Sequence, residues 1–139
     1  MKDNLVKSEK LYRCMLNGCF DILHIGHIRL FSFAKSLGYY VIVGLNSDAS
    51  VKKLKGNDRP IVCEEERKEI LESIRYVDEV IIFNEDNPCE LIKKIKPDIL
   101  IKGSDWEDKD IIEKDLVNSI RFFPHQGITT TKIIEKIKL

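Results

Sequence analysis

The most informative stretch of this sequence is "LNGCFDILHIGHIRL", residues 16–30. It opens with apolar residues, turns at an Asn-Gly pair, and runs into an apolar segment with helical spacing. Two of the three histidines of the chain, His24 and His27, stand here on either side of Gly26. The pattern predicts a buried strand, a tight loop and the start of a helix, with both histidines at the mouth of that helix.

The composition of the 139 residues fits a single domain, 1–139, with residues 1–10 frayed. The 23 basic and 23 acidic side chains cancel, so the chain has no overall electrostatic attraction for nucleic acid or for an anionic membrane. No apolar run reaches the roughly 18 residues that cross a bilayer. The four cysteines form no C-x-x-C pair, which indicates neither zinc nor a redox motif and favours reduced thiols in the cytoplasm.

Apolar runs of strand length alternate with segments of helical spacing along the chain. We predict strands at 11–16, 39–45, 79–83, 98–103 and 119–123. We predict helices at 27–37, 64–77, 88–95 and 129–139, a polar helical stretch after residue 103, and a basic loop at 52–59. This alternation predicts an α/β fold, a Rossmann-like three-layer α/β/α architecture around a mostly parallel sheet of about five strands.

Apolar side chains recur on defined faces of the predicted helices. The inward faces are expected to carry Ile70, Leu71, Ile74 and Val77 in one helix and Ile133, Ile134 and Ile137 in the last. The helix at 27–37 is apolar on more than one stripe. We therefore expect a homodimer that buries Ile28 and Phe31 against a second copy.

Ligands of parallel sheets bind beyond the carboxyl ends of the strands, where the strand order reverses. That rule selects three segments, 17–27, 102–106 and 127–131, with the basic loop folding over them. In the first segment, the N-terminus of a helix attracts phosphate and glycines allow the backbone to approach an anion. Two imidazoles three residues apart share a helical face and can donate hydrogen bonds to phosphate oxygens. The alternative is one capping histidine and one core histidine.

These residues carry a family resemblance. "GCFDILHIGH" is similar to the H-x-G-H signature of the nucleotidylyltransferase superfamily, which has a Rossmann-like core. "GITTTKII", residues 127–134, resembles its second signature, a Ser/Thr-rich run that opens the last helix. The resemblance covers residues 12–138. It implies an enzyme that joins a sugar phosphate to a nucleoside triphosphate with release of pyrophosphate, and Mg²⁺ that accompanies the triphosphate. A nucleotide-binding regulatory module without catalysis is the alternative.

Two families within the superfamily are similar to different segments. "NSDASVKKLKGNDRP", 46–60, and "DILIKG", 98–103, resemble the adenylyltransferase domain that makes ADP-heptose from heptose 1-phosphate. "ERKEILESIRYVDEVI", 66–81, resembles glycerol-3-phosphate cytidylyltransferase, but the arginine that this second family carries before its Gly-Ile-Ser-Thr-Thr run is absent. The resemblance implies ATP with heptose 1-phosphate first, and CTP with glycerol 3-phosphate or another polyol phosphate second.

The residue types and the resemblance together predict the site. Catalytic roles are predicted for His24, His27 and Lys55. Nucleotide binding is predicted for Cys19, Phe20, Gly26, Gly103, Asp105, Gly127, Thr129, Thr130 and Thr131. Acceptor binding is predicted for Asp21, Lys53 and Lys102.

Several of these residues have simpler structural interpretations. The threonines could only cap the last helix, and the basic loop could be a solvated surface. Asp21 could cap the histidine turn, Trp106 could belong to the core, and His125 is expected in a loop. Arg67, near the positive end of its predicted helix, could bind phosphate or pair with a nearby glutamate.

Overall fold

The computed structural model describes residues 12–103, 111–124 and 126–139. Within these residues the strands are β1 (Arg13–Gly18), β2 (Tyr40–Asn46), β3 (Glu79–Phe83), β4 (Ile99–Gly103) and β5 (Ser119–Phe123). The helices are α1 (Ile25–Ser36), α2 (Asp48–Lys55), α3 (Glu64–Glu72), α4 (Cys89–Ile95) and α5 (Thr130–Ile137). The predictions for residues 1–10, Asp105, Trp106 and His125 fall outside the described residues.

The five strands form one sheet in the order β3-β2-β1-β4-β5, and every neighbouring pair is parallel. The chain begins at the central strand β1, winds outward through β2 and β3, and returns to place β4 on the other side of β1. The strand order therefore reverses between β1 and β4. This confirms the predicted Rossmann-like α/β fold and puts the switch point beside the histidine turn.

Each face of the sheet carries its own apolar core, because side chains alternate along a strand. Cys14 and Leu16 of β1 join a cluster with residues of α1 and α3, and we call this side the α1 face. Met15 joins a second cluster with residues of α4, and we call that side the α4 face. The α1 face includes Phe31, Ala34, Leu71, Ile99 and Ile101, and the α4 face includes Phe83, Leu91, Ile92 and Leu100.

The segment predicted as a basic loop begins instead as helix α2. The hydroxyl of Ser47 caps this helix by accepting a hydrogen bond from the Ser50 N–H at 3.1 Å. The helix ends at Gly56, whose φ of +112° is unfavourable for other residues. The loop prediction was wrong at its start because a run of lysines before a glycine is typical of a solvated loop, whereas the Ser47 cap and the burial of Val51 stabilise a helix here. The residues after Gly56 do form a loop.

Three predicted helical faces need correction. Helix α3 ends at Glu72, so Ile74 and Val77 follow it in turns, and Ile70 is 47% exposed. Ile137 of α5 is 74% exposed, because the last turn of this terminal helix has no layer above it among the described residues. Phe31 is fully buried within its own chain, so it cannot form the predicted dimer contact.

The polar stretch before β5 is not helical where the structure describes it. Residues 111–118 form consecutive turns, with backbone hydrogen bonds from Lys114 to Ile111 and from Leu116 to Glu113. Ile111 and Glu113 are both buried although they are only two residues apart, which is not a helical spacing. No helix in the described part of the chain is long and apolar enough to cross a membrane.

Candidate active site

A cavity of about 710 Å³ lies at the carboxyl ends of β1 and β4, at the switch point of the sheet. Its walls come from the turn after β1, the end of β4, the N-terminus of α5 and the C-terminal end of α2. The three segments predicted to meet, 17–27, 102–106 and 127–131, do meet here in their described parts. Gly127 itself, with a φ of +79°, is not in the wall.

The two histidines of the turn cap helix α1 together. His24 is the N-cap residue, and its Nδ1 accepts a hydrogen bond from the Gly26 N–H at 3.1 Å. Nδ1 of His27 accepts a hydrogen bond from the His24 N–H at 3.3 Å. Because each Nδ1 is an acceptor, the ring proton of a neutral imidazole sits on Nε2. Both rings line the cavity, so the pair can present Nε2–H donors to a ligand.

Gly26 is required by the ring of His24. A Cβ at position 26 would lie 2.9 Å from Cε1 and 3.0 Å from Nδ1 of His24, and 3.4 Å from Cβ of Gln126. The sequence interpretation was that Gly26 lets the backbone approach an anion. The structure adds a second reason, which is that any larger residue would displace the capping imidazole.

His27 is neutral at physiological pH. Burial lowers its pKa from 6.5 to about 4, and the neighbouring imidazole of His24 acts in the same direction. The ring also makes an edge contact with Phe20, with ring centroids 5.1 Å apart. A neutral imidazole held between these two rings is a hydrogen-bond donor at Nε2 rather than a fixed positive charge.

The loop between β1 and α1 is held in an unusual conformation. Phe20 has a φ of +44°, which is rare for a residue with a bulky side chain. Its ring packs against Phe31 and over Gly18, where a Cβ would lie 3.2 Å from two ring atoms. Cys19 lines the cavity, and burial raises the pKa of its thiol, opposed by the positive charges of Lys55, Arg67 and Arg59. Arg59 and Arg67 are paired with Asp21 and Asp48, so Lys55 is the cation here without an ion-pair partner among the described residues.

Asp21 anchors the loop that follows α2. Its buried carboxylate accepts hydrogen bonds from the N–H groups of Ile61 and Val62 and from Nε of Arg59, all at 2.8–2.9 Å. Burial alone would raise the pKa of this carboxyl, but these donors hold it below its ordinary value. Asp21 does not cap the histidine turn, and its described partners are all protein groups. A contact with the acceptor stays a prediction.

Arg67 is a buried structural residue, so both the surface ion pair and the phosphate contact suggested by its sequence position need correction. It is 1% exposed and donates to the carbonyls of Cys19, Asn46 and Val62 at 2.8 Å. Its remaining nitrogen pairs with Asp48 at 2.8 Å rather than with a glutamate. The guanidinium thus ties together the ends of β1 and β2 and the loop before α3.

The lysines of α2 separate into two groups. Lys55 and Leu54 line the cavity, as does Arg59 beyond the end of the helix. Lys53 does not line the cavity itself but pairs at 3.1 Å with Asp86, which does, and both side chains are more than half exposed. The structure therefore brings Lys55 to the predicted site and does not bring Lys53 there.

The threonine run opens α5 and also joins the two motifs. Thr129 is the N-cap, and its hydroxyl accepts from the Lys132 N–H at 3.0 Å, so the simple capping interpretation holds for this residue. Thr130 donates its hydroxyl to the carbonyl of Ile22 at 3.0 Å, which fixes this helix against the histidine turn. All three threonines line the cavity, where the first turn of a helix offers N–H groups to an anion.

Two residues that the sequence did not single out also line the cavity. Glu113, 5% exposed, pairs with Lys102 at 3.3 Å. Asn17 contributes a buried Oδ1 that has no hydrogen-bond partner among the described residues. Asn17 and Gly18 lie in β1 and not in the turn predicted for this pair. An asparagine near the carboxyl end of a buried strand is a signal that could have been used, whereas nothing near Glu113 marked it as buried. Gly103 lines the same wall beside Lys102.

Comparison with known proteins gives the family. A model of the family described as cytidylyltransferase-like matches residues 15–136. The bifunctional protein HldE of Campylobacter jejuni subsp. doylei is 50% identical over 135 residues, and that of Campylobacter fetus subsp. fetus is 45% identical over 139 residues. These matches cover 96% and 98% of this chain but only 29% and 30% of the relatives, so the chain corresponds to less than a third of their length.

Solved structures show the same fold. A lipopolysaccharide core biosynthesis protein from Thermoplasma volcanium matches with a TM-score of 0.68 and 26% identity, covering 86% of this chain and 100% of the other. A pantoate-beta-alanine ligase from Francisella tularensis matches with a TM-score of 0.58 and 17% identity, covering 97% of this chain and 73% of the other. The second likeness concerns the fold alone. Together with the matched family and the histidine turn at the switch point, these findings establish that the chain belongs to the cytidylyltransferase-like family of nucleotidyltransferases.

Proposed function

We propose that this protein transfers the adenylyl group of ATP to heptose 1-phosphate, giving ADP-heptose and pyrophosphate. The observation that carries the proposal is the capped histidine pair. Two imidazoles whose Nδ1 atoms are held by backbone N–H groups present Nε2 donors in the cavity at a helix N-terminus, beside the threonine-capped terminus of α5.

The proposed step is a direct in-line displacement. A phosphate oxygen of the sugar phosphate forms a bond to the α-phosphorus of the triphosphate, and the bond from that phosphorus to the β-bridging oxygen breaks. The electron pair of that bond leaves with pyrophosphate. No covalent enzyme intermediate is needed because the acceptor phosphate is already a nucleophile, so the protein contributes positioning and charge stabilisation.

Each part of the site has a role in this step. His24 and His27 donate hydrogen bonds to the α-phosphate and the leaving oxygen as negative charge develops. Lys55 bridges the acceptor phosphate and the nucleotide, and the N-terminus of α5 holds the pyrophosphate end. The triphosphate enters as its magnesium complex. A magnesium ion bound to a triphosphate needs no dedicated protein cage. Among the described residues no group of three or more His, Cys, Asp and Glu side chains could hold a metal.

The choice of substrates rests on similarity. The segments 46–60 and 98–103 resemble the adenylyltransferase domain of ADP-heptose synthesis, and the HldE relatives are about half identical to the chain. The Thermoplasma volcanium protein is named for lipopolysaccharide core biosynthesis. CTP with glycerol 3-phosphate is the second candidate, because residues 66–81 resemble that family.

A pyrophosphate-release assay tests the proposal. ATP, CTP, GTP and UTP are each paired with heptose 1-phosphate and with glycerol 3-phosphate, and kcat/KM is measured for every pair. We expect ATP with heptose 1-phosphate to be preferred by at least about tenfold. Preference for CTP or for glycerol 3-phosphate would replace the proposed reaction with the second candidate. No release above background with any acceptor would favour the regulatory module without catalysis.

Two further properties belong to the proposal. We place the protein in the cytoplasm, since all four cysteines are free thiols. We also propose a homodimer, supported by exposed apolar side chains outside the cavity wall rather than by Phe31; they include Ile25, Ile61 and Ile70. Light scattering at micromolar concentration measures the mass directly, and a monomer would reject the dimer.

A further inference from the structure

The cavity is chemically divided by the sheet. On the α1 face it is bounded by the histidine turn, whose Phe20, Leu23 and Ile28 pack into the α1-face core. Arg59 and Arg67 are paired at this end with Asp21 and Asp48, whereas Lys55 lines the cavity and has no ion-pair partner among the described residues. Its positive charge adds to that of the N-terminus of α1. This half suits phosphate groups.

The other half of the cavity lies on the α4 face. Leu100 belongs to the α4-face core and Ile101 to the α1-face core, so Lys102 points to the α4 side by alternation. Asn17 follows Met15 by two residues and shares its side. The Cβ of Asn17 lies 3.3 Å from the position that a Cβ on Gly44 of β2 would take. Cδ2 of Leu91 in α4 lies 3.2 Å from the same position. Side chains at the ends of two adjacent strands, β1 and β4, thus face one wall.

Charge is neutralised in this half. Lys102, 9% exposed, is paired with Glu113, 5% exposed. Both charges act on the thiol of Cys89 at the start of α4. Burial is the main cause that raises the pKa of this thiol; the negative charge of Glu113 also raises it, and the positive charge of Lys102 lowers it. A buried carboxylate beside the lysine repels a phosphate group. The pair is therefore poorly suited to phosphate and well suited to uncharged polar groups.

Two acceptor atoms in this half are available to a ligand. The buried Oδ1 of Asn17 has no partner among the described residues. Within the same part of the chain, Glu113 bonds one side chain, Lys102, through Oε1, so its Oε2 remains an acceptor. Buried polar atoms of native proteins are normally satisfied, and an unsatisfied one in a cavity wall indicates a ligand group. Hydroxyl groups fit, because they can donate hydrogen bonds to both oxygens.

We propose that Asn17, Lys102 and Glu113 form a hydroxyl-binding subsite on the α4 face, and that Glu113 selects acceptors whose phosphate is attached to a polyhydroxylated chain or ring. The inference deepens the proposed function and rests on it. It assigns the acceptor phosphate to the α1-face half of the cavity and its hydroxyl groups to the α4-face half. Lys102 contacts hydroxyl groups in this arrangement.

The test compares two ligands that share a phosphate but differ in hydroxyl groups. Dissociation constants are measured for heptose 1-phosphate and for methyl phosphate, by competition titration, in the wild-type chain and in Glu113→Gln. We expect the Kd of heptose 1-phosphate to rise about tenfold or more, since a carboxylate acceptor for hydroxyls is lost. The Kd of methyl phosphate should change less than about twofold. Glu90→Gln is the matched control, because its exposed carboxylate pairs with Lys93 outside the cavity wall.

Every outcome is decisive. An unchanged Kd for heptose 1-phosphate overturns the inference, and so does an equal rise for both ligands, which would mean that Glu113 acts only structurally. If Glu113→Gln does not fold, Lys102→Met/Glu113→Leu removes both charges together, a change that buried pairs often tolerate, and the same comparison applies. The wild-type pyrophosphate assay keeps the proposals separate. If the wild-type chain releases pyrophosphate but Glu113→Gln keeps the wild-type ratio of the two dissociation constants, only the inference is wrong. If the wild-type chain releases no pyrophosphate, the proposed function is wrong.

Discussion

The imidazole rings of His24 and His27 stack with centroids 3.8 Å apart and an angle of 24° between their planes. Each ring is held through Nδ1 by a backbone N–H of the same turn. The helix cap and the proposed hydrogen-bond donors are therefore the same two side chains. Mutations here act on folding and on catalysis together, and well-chosen variants separate the two effects.

Replacing His24 should lower turnover far more than stability. We expect His24→Ala to reduce kcat by about two to four decades through loss of a preorganised donor, and to cost about 1 kcal/mol because the N-cap acceptor is lost. His24→Asn should recover the capping energy and not the turnover. Steady-state pyrophosphate release and urea denaturation measure the two effects. Near wild-type kcat in either variant would remove His24 from the mechanism.

The low pKa of His27 predicts a pH-dependent stability. The folded-state pKa, about 4, lies below the unfolded value of 6.5, so the unfolded chain binds more protons between these two values. The free energy of unfolding should therefore fall as pH drops from about 6.5 to about 4, by up to about 3 kcal/mol from this residue. His27→Gln should flatten that part of the profile. An equally steep profile in the variant would show that other groups cause it.

Gly26→Ala should impair turnover without unfolding the protein. Alanine is the better helix former, but its Cβ would lie 2.9 Å from Cε1 of His24 and force that ring to move. A displacement of about 1 Å at a positioned donor can cost about 100-fold in rate. We expect kcat to fall by about that factor. The melting temperature should stay nearly unchanged, because the gain in helix propensity and the loss of the His24 cap are each about 1 kcal/mol and offset one another. Ser36→Ala, at the exposed end of the same helix, is the control and should leave both values unchanged.

Arg67→Met should be strongly destabilising. The substitution leaves three carbonyls and Asp48 without their shared donor, in a position that is 1% exposed. We expect a loss of about 3–5 kcal/mol by urea denaturation, as for other broken buried ion pairs. Arg75→Met is the matched control, since Arg75 lies on the surface against Tyr76 and should cost less than about 0.5 kcal/mol. Equal losses would contradict the structural role.

Asp21→Asn should loosen the loop over the cavity. An amide cannot accept from Arg59, Ile61 and Val62 as a carboxylate does, so the loop that follows Lys55 loses its anchor. We expect the KM for the triphosphate to rise about tenfold, with a smaller change in kcat. Asp58→Asn, an exposed carboxylate in the same loop, should change neither. If the KM for the triphosphate is the same in Asp21→Asn as in the wild-type chain, this anchoring role is wrong.

Local patterns were sufficient for much of the fold. Strand-length apolar runs predicted all five strands to within two residues at each end. The signal is clearest in the central strands β1, β2 and β4, which are buried along most of their length and must therefore be apolar. Alternation with helical segments led to a parallel sheet, and the rule for parallel sheets placed the cavity at the ends of β1 and β4. The helix α2, by contrast, has only eight residues and ends in a run of lysines before Gly56, which is equally typical of a solvated loop.

The H-x-G-H turn and the threonine run could be recognised from the sequence alone, since each is a continuous motif whose chemistry is local. The roles of Arg67, Asp21 and Glu113 could not, because their partners lie 5–48, 38–41 and 11 residues away along the chain. A charged residue appears the same in sequence whether it is solvated or buried in a pair. Burial and pairing depend on which distant segments the sheet brings together, and that information exists only in the folded chain.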